Sequence, residues 1–139
     1  MANLAGFLKP TYKEKTVQIV ISDRFLDEKG EPIPFILKSM TQDRMNAIAK
    51  RSVREQTVNG KKVQVADTAQ QIARCLIESC IQPDFRDAEL CRAYGTEDPV
   101  ELPQKMLLIS EYEKLGQAFL ELNGMSSDDF ILTGEVTKN

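Results

Sequence analysis

An α+β fold is predicted for this chain, with one or two small N-terminal antiparallel β-hairpins followed by a mainly helical C-terminal part of about four short helices. Two hairpin signals precede residue 66, and apolar residues recur at helical spacing after residue 67. A length of 139 residues fits a single domain, residues 1–139. Within it we expect a flexible arm over about 1–12 and a tail over about 125–139.

The first predicted hairpin covers residues 16–39. Residues 16–21 alternate β-branched side chains onto one face, and residues 27–31 are rich in turn formers. The return strand is expected over 33–37. Because the prolines at 32 and 34 cannot donate hydrogen bonds, this strand is expected to lie at a sheet edge or to begin irregularly.

A helix and a second hairpin are predicted next. Thr41 is a good N-cap for a helix that runs to about residue 54. Asn59-Gly60 is a strong signal for a two-residue hairpin turn, and its flanks are polar. We therefore expect a small exposed β-ribbon or a mobile loop here.

The clearest helix is predicted over residues 68–81, opened by a capping box of Asp67 and Gln70 and stopped by Pro83. Shorter helices are expected after Asp87 and Asp98. A last helix over 110–123 is predicted to open with a second capping box, of Ser110 and Glu113. The helices at 68–81 and 110–123 are expected to supply much of the core, since both carry apolar stripes.

Composition argues against an enzyme, and we expect no catalytic residues, no cofactor and no metal site. The chain has no His, which removes imidazole bases and imidazole metal ligands. Its three Cys form no CxxC pair, so reduced and largely buried thiols are expected. The acidic pairs Glu97/Asp98 and Asp128/Asp129 are expected to be solvated, and Glu78 is expected to be an exposed helix acid.

Charge is distributed unevenly along the chain. The net charge is −3, but residues 1–62 carry 12 basic against 7 acidic residues, and residues 63–139 carry 6 against 14. The basic residues form no tight run and are not interleaved with aromatic residues, so nucleic-acid binding is not expected. The two halves are instead expected to attract each other, or to pair two copies head to tail in a homo-oligomer.

No membrane association is expected, and the predicted location is the cytoplasm. No apolar run reaches the length of a membrane span, and the N-terminus lacks the features of a signal peptide. Apolar side chains near both ends, Phe7, Leu8, Phe130 and Ile131, are candidates for binding a partner. The alternative reading is that they cover the domain's own core.

Two blocks of the sequence together resemble the XkdN-like phage tail assembly chaperones of tailed phages and prophages of Gram-positive bacteria. The first block contains Phe7-Leu8-Lys9-Pro10, Val20-Ile21-Ser22-Asp23-Arg24-Phe25 and Gly30-Glu31-Pro32-Ile33-Pro34-Phe35. The second contains Cys80-Ile81-Gln82-Pro83-Asp84-Phe85, Asp87-Ala88-Glu89-Leu90, Tyr94-Gly95, Met106-Leu107-Leu108, Glu111-Tyr112 and Leu122-Asn123-Gly124. The resemblance covers about residues 7–125, and it adds Arg24 and Phe25 to the candidate partner-binding residues.

The resemblance implies a non-enzymatic role in the host cytoplasm. Proteins of this kind coat the phage tape measure protein and keep it soluble until tail-tube subunits polymerise around it. The implied partners are therefore the tape measure protein and the tail-tube protein, and the chaperone is expected to be absent from the mature virion. Two alternatives remain: a tail-completion or connector protein retained in the virion, and a small regulatory nucleic-acid binder.

Overall fold

Residues 4–126 are described by a computed structural model of the chain, and they form a mixed α+β fold. The strands are β1 (Thr16–Ile19), β2 (Phe35–Lys38), β3 (Val53–Val58), β4 (Lys61–Ala66) and β5 (Cys80–Gln82). The helices are α1 (Leu4–Leu8), α2 (Gln42–Arg51), α3 (Thr68–Ser79), α4 (Ala88–Ala93), α5 (Leu102–Met106) and α6 (Ile109–Leu122), with a 3-10 turn at Pro99–Glu101 before α5. The predicted fold class is confirmed, and α1 is a helix within the segment expected to be an arm.

The first predicted hairpin is confirmed, and of the two alternatives for its return strand the irregular start is observed, at Phe35, rather than a place at an edge. Strands β1 and β2 pair antiparallel with Ile19 opposite Phe35, and the three-stranded sheet has the order β1-β2-β5. β2 is therefore central. It tolerates this position because it begins at Phe35, immediately after Pro34, so that neither proline occupies the ladder.

Strand β5 corrects the predicted end of the helix at 68–81. Helix α3 ends at Ser79, and the chain then extends so that Cys80 lies opposite Leu37 of β2. The hydroxyl of Ser79 donates to the carbonyl oxygen of Lys38 at 2.5 Å, which joins the end of the helix to the sheet. The apolar period continues to Cys80, but Cys80 pairs with β2 instead of extending the helix.

The exposed β-ribbon is confirmed. β3 and β4 pair over their whole length around Asn59 and Gly60, both of which have positive φ, as a tight hairpin turn requires. At the base of the ribbon the backbone N–H of Asp67 donates to the carbonyl of Ser52 at 2.8 Å. Helix α2 ends at Arg51 rather than near residue 54, because the ribbon begins at Val53.

The core lies between the three-stranded sheet and the helices, and α3 and α6 supply much of it, as predicted. Leu76 and Phe119 are each 1% exposed, and Leu115 is fully buried. At the far end of α6, the side-chain oxygen of Asn123 accepts from the backbone N–H of Met40 at 3.0 Å. This contact holds the last turn of α6 against the segment that leads from β2 into α2.

The three thiols are free and buried, as expected. Burial raises the pKa of Cys75 and of Cys80 to about 12, and it also raises the pKa of Cys91. Glu78, in contrast, is not an exposed acid. Its side chain is 17% exposed and its carboxylate accepts two hydrogen bonds from the guanidinium of Arg44, which lower its pKa. Over residues 4–126, no helix combines the length and the apolar character that crossing a bilayer requires.

Candidate functional site

An apolar groove lies where the start of α3, the end of α5 and the start of α6 meet. Its volume is about 410 Å³. The residues that line it are Ala69, Ile72, Gln104, Leu107, Ile109, Tyr112 and Glu113. Five of these seven carry apolar or aromatic side chains, and the acidic group of Glu113 contributes negative charge to its lining. Such a groove can accept the apolar face of a helix.

The α3 wall of the groove is set by the N-cap of that helix. A carboxylate oxygen of Asp67 accepts from the backbone N–H of Gln70 at 3.0 Å, as the capping box predicted. The reciprocal half of the box is not formed, because the side-chain oxygen of Gln70 accepts from Nε of Arg74 instead. The cap fixes where α3 begins, and it thereby places Ala69 and Ile72 on the groove.

The other wall is the sharp corner between α5 and α6. Leu108 is extended, and its backbone N–H donates to the carboxylate of Glu111 at 2.8 Å. The predicted cap at Ser110 is therefore wrong: the N-cap lies two residues earlier, at Leu108, so that the helix begins at Ile109, and the carboxylate of Glu111 accepts from the backbone N–H of Leu108. The corner leaves Leu108 and Ile109 exposed, and Ile109 is 82% exposed.

An ion pair between the exposed Arg24 and the buried Glu111 holds this corner against the hairpin loop. Nε of Arg24 donates to one carboxylate oxygen of Glu111 at 2.8 Å, and Nη2 donates to the other at 2.6 Å. Nη2 also donates to the carbonyl of Met106 at 3.0 Å, at the end of α5. Glu111 is 4% exposed, and its hydrogen bonds from Arg24 lower its pKa to about 2 although burial acts in the opposite direction.

The predicted residues Arg24 and Phe25 thus make contacts inside the chain. The ring of Phe25 is half-buried and lies 5.8 Å from the ring of Phe35, centroid to centroid, and the guanidinium carbon of Arg24 lies 4.9 Å from the centroid of Phe25. Arg24 positions the corner that carries Ile109. A direct contact of either residue with a partner stays a prediction.

The predicted residues Phe7 and Leu8 lie on α1 and are largely exposed, Phe7 at 83%. Leu4, at the start of α1, is exposed as well. The spacing of these three residues, i, i+3 and i+4, places them on one face of the helix. The remaining predicted residues, Phe130 and Ile131, lie outside the described residues.

The groove itself was not predicted from the sequence. A signal for it exists in Leu107-Leu108-Ile109, three large apolar residues that directly precede the stripe of α6. Only part of this run can enter the core, because the chain turns sharply here: Leu107 is buried, whereas Leu108 and Ile109 are exposed. Within residues 4–126, His, Cys, Asp and Glu side chains form no cluster of three or more that could bind a metal ion.

Comparisons with known proteins identify related sequences and a related structure. Residues 4–131 match the family described as phage XkdN-like tail assembly chaperone protein. The chain is 38% identical over 120 residues to the phage-like element PBSX protein XkdN of Bacillus subtilis strain 168. The matched region covers 85% of this chain and 81% of that protein. It is 34% identical over 120 residues to YqbN of the same strain, with 85% of this chain and 80% of that protein covered.

A solved structure supports the same relationship. The crystal structure of YqbN superimposes with a TM-score of 0.74 at 32% identity, covering 91% of this chain and 99% of that chain. The family match spans nearly the whole chain, and it agrees with both relatives and with the fold. This chain therefore belongs to the XkdN-like family of phage tail assembly chaperones.

Proposed function

We propose that this protein is a non-enzymatic chaperone that binds the phage tape measure protein in the host cytoplasm and keeps it soluble until tail-tube subunits polymerise. The observation that carries the proposal is the apolar groove of a tail assembly chaperone, with an exposed corner at Leu108 and Ile109. A long helical protein exposes apolar stripes before the tube covers it. A groove between helices is a suitable receptor for such a stripe.

Charge restricts which helix the groove would accept. Glu113 lies in its lining, and residues 63–139, which supply all of the lining, carry a net charge of −8. A client helix whose apolar stripe is bordered by Lys or Arg would therefore fit better than one bordered by acids. Contact of the chaperone with the tail-tube protein stays a prediction.

Weak binding at each groove is compatible with efficient coating. One groove holds only a few apolar side chains, so a single copy binds weakly and dissociates readily. Many copies along one long client cover it collectively, and each copy can still leave as the tube advances. A chaperone that must be removed during assembly benefits from this arrangement.

The test is co-expression with the tape measure protein of the same phage, scored by the soluble fraction of that protein. We expect the wild-type chaperone to raise the soluble fraction and Ile109→Ser to lose most of this effect. Leu26→Ser is the matched control, because Leu26 is 50% exposed and is not one of the residues that line the groove. Equal solubilisation by Ile109→Ser and wild type would exclude the groove as the client site, and no solubilisation by wild type would exclude the proposed function.

A further inference from the structure

Helix α1 is a short helix of five residues, all apolar or glycine, and its large apolar side chains are exposed. Leu4, Phe7 and Leu8 are 61%, 83% and 69% exposed, and they share one face. Transfer of apolar side chains of this size out of water lowers the free energy. An exposed face that carries three of them therefore favours docking on another surface. Within residues 4–126, that face is not part of the core.

The groove has the complementary properties. Like the exposed face of α1, the groove is lined mainly by apolar side chains. Its acidic residue, Glu113, is opposite in charge to Lys9, which directly follows α1. The segment that joins α1 to β1, residues 9–15, contains Lys9, Lys13 and Lys15 and one acid, Glu14, so its net charge is +2. A basic arm next to an apolar helix face therefore meets an acidic surface next to an apolar groove, which favours this docking electrostatically.

The connection between α1 and the sheet is long enough for contact with another molecule. Residues 9–14 contain no helix or strand, and six extended residues can span about 20–22 Å. Lys15 is held beside the sheet by two hydrogen bonds with Ser39. The structure leaves the α1 face exposed rather than seated in the groove of its own chain. The groove and the apolar face of α1 are thus both exposed in the described chain, and both are apolar with charges of opposite sign beside them.

We propose that, in the absence of client, α1 of one copy docks in the groove of a second copy. The proposal rests on the proposed function, since the groove is the one assigned to the client. The contact joins two different surfaces, so it is heterologous and can add further copies head to tail. Free chaperone then covers its own apolar groove, and a client helix must displace α1 to bind.

The experiment is sedimentation velocity of the purified full chain without client, over a wide range of protein concentration. We expect the mean mass of the wild type to rise with concentration beyond that of two chains. Phe7→Ser and Ile109→Ser should each raise the concentration needed for association by at least about tenfold. Both positions are more than four-fifths exposed, so both variants should remain folded, and Leu26→Ser should associate as wild type does.

Mixing the two variants gives the decisive result. Phe7→Ser keeps an intact groove and Ile109→Ser keeps an intact α1, so the mixture should recover a complex of two chains and no larger species. A wild type that stays monomeric at all concentrations, or a mixture that stays monomeric, would overturn the proposal. A monomer in which α1 closes on the groove of its own chain would also overturn it, and Phe7→Ser would then leave the mass unchanged.

Client solubility separates this proposal from the proposed function. Phe7→Ser should still keep the tape measure protein soluble, because its groove is intact, whereas Ile109→Ser should lose both properties. If the wild type is monomeric and Ile109→Ser still fails to protect the client, self-association alone is disproved. If the variants associate as expected and Ile109→Ser protects the client normally, the client site alone is disproved.

Discussion

At the scale of single residues, Glu111 links three parts of the molecule. Its carboxylate accepts from Arg24 of the hairpin loop and from the backbone N–H of Leu108, and Arg24 reaches the carbonyl of Met106 as well. A carboxylate that is 4% exposed is costly unless it is paired and hydrogen-bonded, and here it is both. The sequence motif that contains Arg24 predicted contact with a partner protein. The motif alone does not show that the ion-pair partner of Arg24 is Glu111 of the same chain.

The first prediction concerns the pH dependence of this ion pair. The pKa of Glu111 is lowered from 4.5 to about 2, so its contribution to stability is complete above about pH 4.5 and is lost as the pH falls toward 2. Glu111→Gln should lower the free energy of unfolding by about 1–3 kcal/mol at neutral pH, since hydrogen bonds to a charged group are lost.

The measurement is urea denaturation of the wild type and Glu111→Gln between pH 7 and pH 2. The difference between their unfolding free energies should be constant at neutral pH and should shrink on acidification below about 4.5. Glu113→Gln is the control, because Glu113 lies on the same helix with an exposed side chain. A difference that does not change with pH would show that the ionised form of Glu111 does not stabilise the fold.

At the scale of elements, local signals predicted starts and turns well. Thr41, Asp67 and Asp87 each cap the helix that the sequence assigned to them, because a cap bonds to residues close in sequence. The cap predicted at Ser110 failed where Glu111, in the first turn of α6, pairs with the distant Arg24. The central position of β2 and the existence of β5 were missed, because a strand partner more than 40 residues away leaves no local pattern. The groove was missed for the same reason, as its walls come from three separate elements.

The second prediction tests the two core helices. Phe119→Ala and Leu76→Ala should each lower the free energy of unfolding by about 2–5 kcal/mol, because each removes a side chain that the core encloses and leaves a cavity. Ile109→Ala, on the same helix as Phe119 but 82% exposed, should change it by less than about 0.5 kcal/mol. Chemical denaturation measures all three, and a loss under about 1 kcal/mol for both core variants would contradict the assigned packing.

The third prediction concerns the ribbon of β3 and β4, whose residues are nearly all exposed. The hydrogen bond from Asp67 to Ser52 closes its base, so the rest of the fold does not depend on its length. Replacing residues 54–65 with Asn-Gly should leave the far-ultraviolet circular dichroism of the helices intact. It should shift the midpoint of thermal unfolding by only a few degrees, whereas collapse of the cooperative transition would show that the ribbon supports the core.

At the scale of the whole molecule, the small net charge results from two halves of opposite sign that are held together. Of the three ion pairs within residues 4–126, Arg24–Glu111 and Arg44–Glu78 each join the basic half of the sequence to the acidic half. The third, Lys62–Glu55, lies within the ribbon. Two of the ion pairs thus join the two halves, as the attraction expected from the sequence requires.

The fourth prediction concerns the assembled phage. A chaperone that leaves as the tube polymerises should be abundant in infected or induced cells and missing from purified particles. Quantitative mass spectrometry of cell lysate and purified virions measures both, with the tail-tube protein as the reference. Recovery of this chain in stoichiometric amounts from virions would favour the alternative of a tail-completion or connector protein.

The buried thiols have a practical consequence. Maleimides react with thiolates, and Cys75, Cys80 and Cys91 are enclosed with pKa values above that of a free thiol. The native fold therefore provides an unreactive background for labelling, and a single cysteine introduced at Lys61 on the exposed ribbon would take one fluorophore per chain. Such a dye would report on the binding of a client, or of another copy, without contact with the groove.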